Sequence, residues 1–293
     1  MADKELVLAI KMRMKSPLEL LKSKLELKRY SPNTIDTYVS MFKSFILHFK
    51  DIKTDDWDEN DAQEYLEYLV RTRKISRSYQ NQCINAIKFY LEQVCGRPRN
   101  TYYFERPQKE QRLPKTMRPQ EIKSLFAQVN NLKHRTMLYT IYSGGLRISE
   151  VCNLKINDID SEKLFILVRA GKGQKDRTTL LSKNCLNLMR KYWKVYKPEH
   201  FLFPGQEGGA YSTSSLRQVF NRAKLKARLD NDYTVHTLRH SFATHLVEQH
   251  VNLRYIQTLL GHKSSKTTEI YTHVAQMDLR KLESPLDRID FDQ

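Results

Sequence analysis

Apolar residues fall into helical stripes along most of this chain and switch to a strand pattern only once. Ser31-Pro32-Asn33-Thr34 supplies an N-cap followed by proline at the first helical position. Behind it, Ile35, Tyr38, Phe42, Phe45 and Phe49 recur at alternating steps of three and four, one face of a helix. A second stripe is Ala62, Tyr65, Leu66 and Leu69. A third, opened by Ser76, is Tyr79, Cys83, Ile87, Tyr90, Leu91 and Val94. From Gly96 to about Met117 the period stops, and Pro98, Pro107 and Pro114 stand among charges. The pattern predicts a helical unit over residues 1–105, a linker over 106–117 and a second unit over 118–293.

The second unit opens at Arg118-Pro119-Gln120-Glu121, with Ile122, Leu125, Phe126 and Val129 on one side, and helical pattern runs on through Met137 to Leu154. The short apolar run Leu164 to Val168 then reads as a buried strand. Ala170 to Asp176 reads as a turn, and Arg177 to Leu181 as the returning strand of a hairpin in a small antiparallel sheet. Helices resume from Asn184 onward. The expected fold is mainly α with a small antiparallel β-sheet, in two domains.

Charge narrows the partner. The 293 residues carry a formal net charge of +17, which favours a polyanion: nucleic acid first, an anionic membrane surface as the rival. Lys28, Arg29, Arg71, Arg73, Lys74 and Arg77 cluster at helix ends and turns. Singly each reads as a solvated charge; together they suit a clamp on a duplex backbone. No apolar run approaches the ~20 residues that span a bilayer. Leu6 to Ile10 is too short for a signal peptide, so the expected location is the cytoplasm. Cys83, Cys95, Cys152 and Cys185 form no C-x-x-C pair, and reduced, buried thiols are expected rather than a zinc knuckle or a disulfide framework.

The candidate chemistry lies in the second unit. His236 and Arg239, three apart, share one helical face, while Leu238, Phe242, Ala243, Leu246 and Val247 turn to the core. A further helix begins at Asn252, is striped by Leu253, Ile256 and Leu260, and ends at Gly261, a left-handed cap. His262 therefore sits just past a helix end, and Tyr271 follows nine residues later. Far upstream stands Arg147 in Gly-Gly-Leu-Arg-Ile-Ser-Glu. In-line attack on a phosphodiester builds a second negative charge, which guanidinium groups absorb through bidentate hydrogen bonds when no metal does. A tyrosine, with an unperturbed pKa near ~10, must lose its proton to act as nucleophile, and the departing 5′-oxygen needs an acid. Lys172, between two glycines on the hairpin turn, is a candidate for that acid.

Each residue also has a plain structural reading. Tyr271 is one of sixteen tyrosines, and a packed aromatic is the ordinary role. Lys172 alone would be a solvated turn lysine. His236, His240 and His245 invite a metal site but lack a companion carboxylate in the zinc-protease pattern. Glu150 could orient Arg147 or cap its helix.

In this order, Gly-Leu-Arg147-Ile-Ser-Glu, Gly-Lys172-Gly-x-Lys-Asp, His236-x-x-Arg239-His-Ser-Phe-Ala-Thr, Leu-Leu-Gly-His262 and Ile-Tyr271-Thr-His resemble the successive motifs of the tyrosine recombinases, or phage-type integrases. Ser31-Pro-Asn-Thr resembles the start of their helical, SAM-like core-binding domain. The resemblance covers nearly the whole chain. It implies that Arg147, Lys172, His236, Arg239 and His262 surround the nucleophile Tyr271, with no metal, ATP or other cofactor. It further implies a C-shaped two-domain clamp on double-stranded DNA, a tetramer of protomers, a 3′-phosphotyrosine link and a Holliday junction. The compact size is similar to the chromosome-dimer (Xer) and simple-integrase branches, and Leu282 to Arg288 to the tail of mobile-element integrases, so the branch stays open. Residues 277–293 are expected to dock on the next protomer or to fold back on their own domain. A type IB topoisomerase-like relaxing enzyme and a DNA-binding protein without catalysis are the competing expectations.

Overall fold

Capping residues divide the first part of the chain into helices. In the computed structural model, which describes residues 16–49, 57–98, 104–108, 113–169, 176–262, 264, 266–269 and 271–272, these are α1 (Pro17–Leu27), α2 (Pro32–His48), α3 (Glu59–Arg71) and α4 (Arg77–Phe89). A π-helical turn, Tyr90–Val94, continues α4. The side chains of Ser16, Ser31, Asp58 and Ser76 each accept a backbone N–H of the helix they open, and each such cap is worth ~1 kcal/mol. Helix α1 is not among the stripes above, yet Ser16-Pro17-Leu18-Glu19 repeats the cap-then-proline signal of Ser31-Pro32. Leu21, Leu25, Phe42, Phe45, Trp57, Tyr65, Cys83 and Ile87 form the core, and the rings of Phe42 and Tyr90 lie 4.1 Å apart. Phe104 is buried in the same core, and Arg106 donates to Asn81 Oδ1 and Asn85 Oδ1 on α4. By internal contacts the chain divides into Met1–Glu110 and Gln111–Gln293.

The second unit wraps helices around a three-stranded antiparallel sheet in the order β1 (Ile159–Asp160), β2 (Phe165–Val168), β3 (Arg177–Leu180). Ile166 pairs with Thr179 and Val168 with Arg177; Ile166 and Val168 point into the core while Phe165 is exposed. Strand β1 has two residues, too few for an alternating pattern to register. The helices are α5 (Pro119–Ala127), α6 (Leu132–Gly144), α7 (Ile148–Cys152), α8 (Lys183–Tyr196), α9 (Thr213–Lys226), α10 (Val235–Glu248), α11 (Leu253–Leu260) and the short α12 (Lys266–Glu269).

Two glycines shape the chain around the candidate chemistry. Gly145 ends α6 at φ +60°, and a Cβ there would stand 2.4 Å from Cδ1 of Phe242. Only glycine meets both demands, and the turn it makes delivers Arg147 to the start of α7. Gly261 ends α11 in the same left-handed conformation and turns the chain toward His262. Phe242, Ala243, Val247, Ile256, Leu260 and Tyr271 form a small core of their own between α10 and α11.

All four thiols are free; Cys83, Cys152 and Cys185 are buried and Cys95 is half-buried. Among the described residues no helix is long and apolar enough to cross a membrane. Lys172 and residues 277–293 lie outside the described residues.

Candidate active site

Four elements bring the sequence-predicted residues together. Arg147 caps α7, His236 and Arg239 lie in the first turns of α10, His262 follows α11, and Tyr271 follows α12. Arg239 is the most embedded of the cationic groups, 4% exposed. Its guanidinium donates to the carbonyls of Gly145 (2.5 Å) and Leu260 (2.7 Å) and reaches Nε2 of His262 at 3.1 Å. Burial, then the neighbouring charge of Arg147, pull its pKa down to about 10, which leaves it cationic at neutral pH.

The His262 ring bridges Arg239 and Thr268, whose Oγ1 lies 2.9 Å from Nδ1. Because arginine is only a donor, Nε2 must accept, so the ring is neutral and carries its proton on Nδ1. The electrostatics agree. Burial and then the charges of Arg239, Arg147 and Arg177 lower the His262 pKa to about 4. His236 is exposed, yet partial desolvation, then Arg239, Arg217 and Arg147, lower its pKa too.

Tyr271 is 2% exposed, and its hydroxyl is 3.0 Å from Nδ1 of His240. Burial raises the phenol pKa, while Arg239 and Arg147 oppose the rise. The net result is a neutral phenol, with the two arginines only partly offsetting the burial. His240, held to about 4 by burial and by the charges of His236 and Arg239, is a neutral ring that can accept the phenol O–H. Its neighbour in sequence His245 has a separate partner, the hydroxyl of Tyr142 at 2.8 Å.

Sequence reasoning passed over two residues and left a third open. Glu150 does both of the things expected of it: it accepts the Arg147 backbone N–H at 2.7 Å, capping α7, and the Arg147 Nη1 at 2.7 Å. Arg177, read above only as a strand residue, forks onto the same carboxylate with both Nη atoms at 2.8 Å. Burial alone would raise the Glu150 carboxyl, but Arg177 and Arg147 outweigh it and hold it at about 2. His240 is the other addition, weighed in the sequence only as one of three histidines that might hold a metal, and found here beside the Tyr271 hydroxyl. Three guanidiniums around one carboxylate leave an excess of positive charge, of which Arg147 is the exposed member, and this suits a phosphate.

The neutral rings make stability sensitive to acid. Both His240 and His262 titrate in the folded protein near pH 4 instead of 6.5, so the unfolded chain binds more protons between those values. Their contribution should be full above pH 6.5 and disappear as pH falls to about 4, on the order of 1–3 kcal/mol each after allowing for partial exposure. Protonation of Glu150 should add a further loss only below its ordinary range, toward pH 2. Thermal melting from pH 7 to pH 4 tests this, and a flat melting temperature would contradict neutral imidazoles.

A helical unit followed by a mixed unit with this cationic, tyrosine-bearing cluster defines a class, and comparison with known proteins gives it a family. The phage integrase family model matches residues 115–277, and the model of the phage integrase N-terminal SAM-like domain matches residues 18–101. A putative integrase/recombinase of Sinorhizobium fredii is 35% identical over 90% of this chain and 86% of its own length. The tyrosine recombinase XerA of Pyrococcus horikoshii is 35% identical over 90% of this chain and 91% of its own. Among solved structures, XerH site-specific recombinase bound to its palindromic difH substrate superposes with a TM-score of 0.70, at 24% identity, over 90% of this chain and 83% of that one. The chain belongs to the phage integrase family, the tyrosine recombinases.

Proposed function

We propose that this protein is a site-specific recombinase that binds double-stranded DNA and cuts and rejoins it through Tyr271, with Arg147, Lys172, His236, Arg239 and His262 as the catalytic set. The observation that carries the reading is the convergence of Arg239, Arg147, His262 and Tyr271 on one basic cluster from four separate elements. The Tyr271 oxygen attacks phosphorus, a P–O bond to tyrosine forms, and the bond to the 5′-oxygen breaks. The 3′-phosphate stays on the protein, and the 5′-oxygen takes a proton from Lys172. The phenolic proton passes to a neutral imidazole, and His240 is the one that Tyr271 touches. Arg147 and Arg239 meet the charge that builds on the non-bridging oxygens. Resealing reverses these steps with a 5′-hydroxyl from the partner duplex, through a Holliday junction within a tetramer of protomers. Two domains, 1–105 and 118–293 joined by 106–117, would then each contribute contacts to the duplex.

Sequencing of duplexes captured by a Tyr271→Phe variant identifies the target. Two labelled duplexes bearing that site should then yield reciprocal crossover products with the unaltered protein. Relaxation of supercoils without crossover products would assign the protein to the type IB topoisomerase kind of reaction instead.

Lys172→Ala should slow cleavage of ordinary DNA but leave nearly untouched the cleavage of DNA carrying sulfur at the bridging 5′ position. A thiolate leaves without protonation and so bypasses a missing acid. Equal defects on both substrates would move the acid to another group.

A further inference from the structure

Arg177 opens β3, and its side chain is only 10% exposed. Three of its donors are engaged. Both Nη atoms fork onto Glu150 at 2.8 Å, and Nε donates to the carbonyl of Leu259 at 2.9 Å. A Cβ on Gly261 would stand 2.7 Å from the Arg177 Cδ, so the left-handed cap of α11 rests on this side chain. The last carbonyls of a helix have no partner within it. Here Leu259 is satisfied by Arg177 and Leu260 by Arg239, and the residue that emerges next but one is His262.

The second consequence concerns Arg147. Each oxygen of Glu150 receives two donors: Arg177 and the Arg147 side chain on Oε1, Arg177 and the Arg147 backbone on Oε2. Arg177 takes the open edge of the carboxylate, so Arg147 cannot close a full fork on it. Among the described residues Arg147 commits only Nη1 of its side-chain donors, and it remains 33% exposed. Its Nη2 and Nε stay free for the non-bridging oxygens of a phosphate. Without Arg177, the carboxylate would rotate into a bidentate pair with Arg147 and consume those donors.

We propose that Arg177 is a positioning residue of the recombination site, holding Arg147 open through Glu150 and fixing the end of α11 that aims His262. This rests on the reading of the site as a recombinase centre. Arg177 itself does not meet the phosphate.

The test compares cleavage by Arg177→Ala, Arg147→Ala and the double variant on ordinary DNA and on DNA whose scissile phosphate is a neutral methylphosphonate. A neutral phosphonate makes little demand on Arg147, so any residue acting through Arg147 should matter less on it. Arg177→Ala should cleave ordinary DNA roughly 10²-fold more slowly, as expected for a displaced catalytic group. Its non-covalent affinity should stay within a few-fold of the unaltered chain, and its defect should shrink on the methylphosphonate. The double variant should be slower than Arg147→Ala alone by much less than the full Arg177→Ala factor, since the part that acts through Arg147 is already lost and only the part that aims His262 remains. Arg177→Lys, which keeps a charge beside Glu150 but cannot fork, should melt near the unaltered protein and still cleave slowly. Cleavage by Arg177→Ala within a few-fold of normal, defects that multiply in the double variant, equal defects on both substrates, or full rescue by lysine would each overturn the assignment. Loss of folding in both Arg177 variants would make it a structural residue and overturn it as well. The unaltered chain guards the premise: if it forms no covalent adduct, the recombinase reading fails, not the role of Arg177.

Discussion

Tyr271→Phe should bind duplex DNA as the unaltered protein does and yet form no covalent protein–DNA adduct. The substitution removes one oxygen and leaves the ring in the small core it shares with Phe242, Ile256 and Leu260. That oxygen is hydrogen-bonded to His240, and giving up the bond costs about 0.5–1.5 kcal/mol of stability. The fold should therefore survive while the proposed nucleophilic oxygen is gone, so no phosphotyrosine link can form at this position. Denaturing gels of a nicked duplex read the outcome. A denaturation-resistant band of normal intensity in the variant removes Tyr271 from the chemistry.

The two arginines should separate catalysis from stability. Arg147→Ala removes a one-third-exposed side chain whose one bond among the described residues is to Glu150, a carboxylate still forked by Arg177. Cleavage should fall by about 10²–10³, the loss seen when one donor to a developing oxyanion is deleted, with little change in melting temperature. Arg239→Ala removes a buried cation and strands the carbonyls of Gly145 and Leu260 along with the Nε2 of His262. It should cost a comparable factor in rate and also several kcal/mol of stability, about 3–5 for a buried charged group withdrawn from its partners. Lysine at either position should restore little, because a point charge cannot reproduce the planar fork. Cleavage within a few-fold of normal in Arg147→Ala would remove it from the site; an unchanged melting temperature in Arg239→Ala would contradict its place as a buried tie between α10, Gly145 and α11.

Much of this was legible one residue at a time, and the reason is local physics. Caps such as Ser31-Pro32 and Ser76, the left-handed stop at Gly261, and the stripes of α2, α3 and α4 are all written within a few residues of where they act, whereas the stop at Gly145 falls inside a helical pattern that reads on to Leu154. His262 could be placed beyond a helix end because Gly261 announces that end. What local pattern does not carry is pairing across the fold. Arg177 reads as one polar residue in a strand, and nothing in its neighbours points to Glu150, twenty-seven positions away. The engagement of the Leu259 and Leu260 carbonyls by two arginines is equally non-local. Burial of Tyr271 against His240 is non-local as well, since the two stand thirty-one positions apart. Strand β1 escapes because two residues have no period.

The central claim is that Tyr271 holds DNA by its 3′-phosphate during strand exchange. A suicide duplex, nicked close to the target phosphate so that the short cleaved fragment diffuses away, traps this link. Protease digestion and mass spectrometry of the trapped complex should then give one nucleotide-bearing peptide, modified on Tyr271 and joined through a 3′-phosphate. Attachment to any other residue, or through a 5′-phosphate, would contradict it.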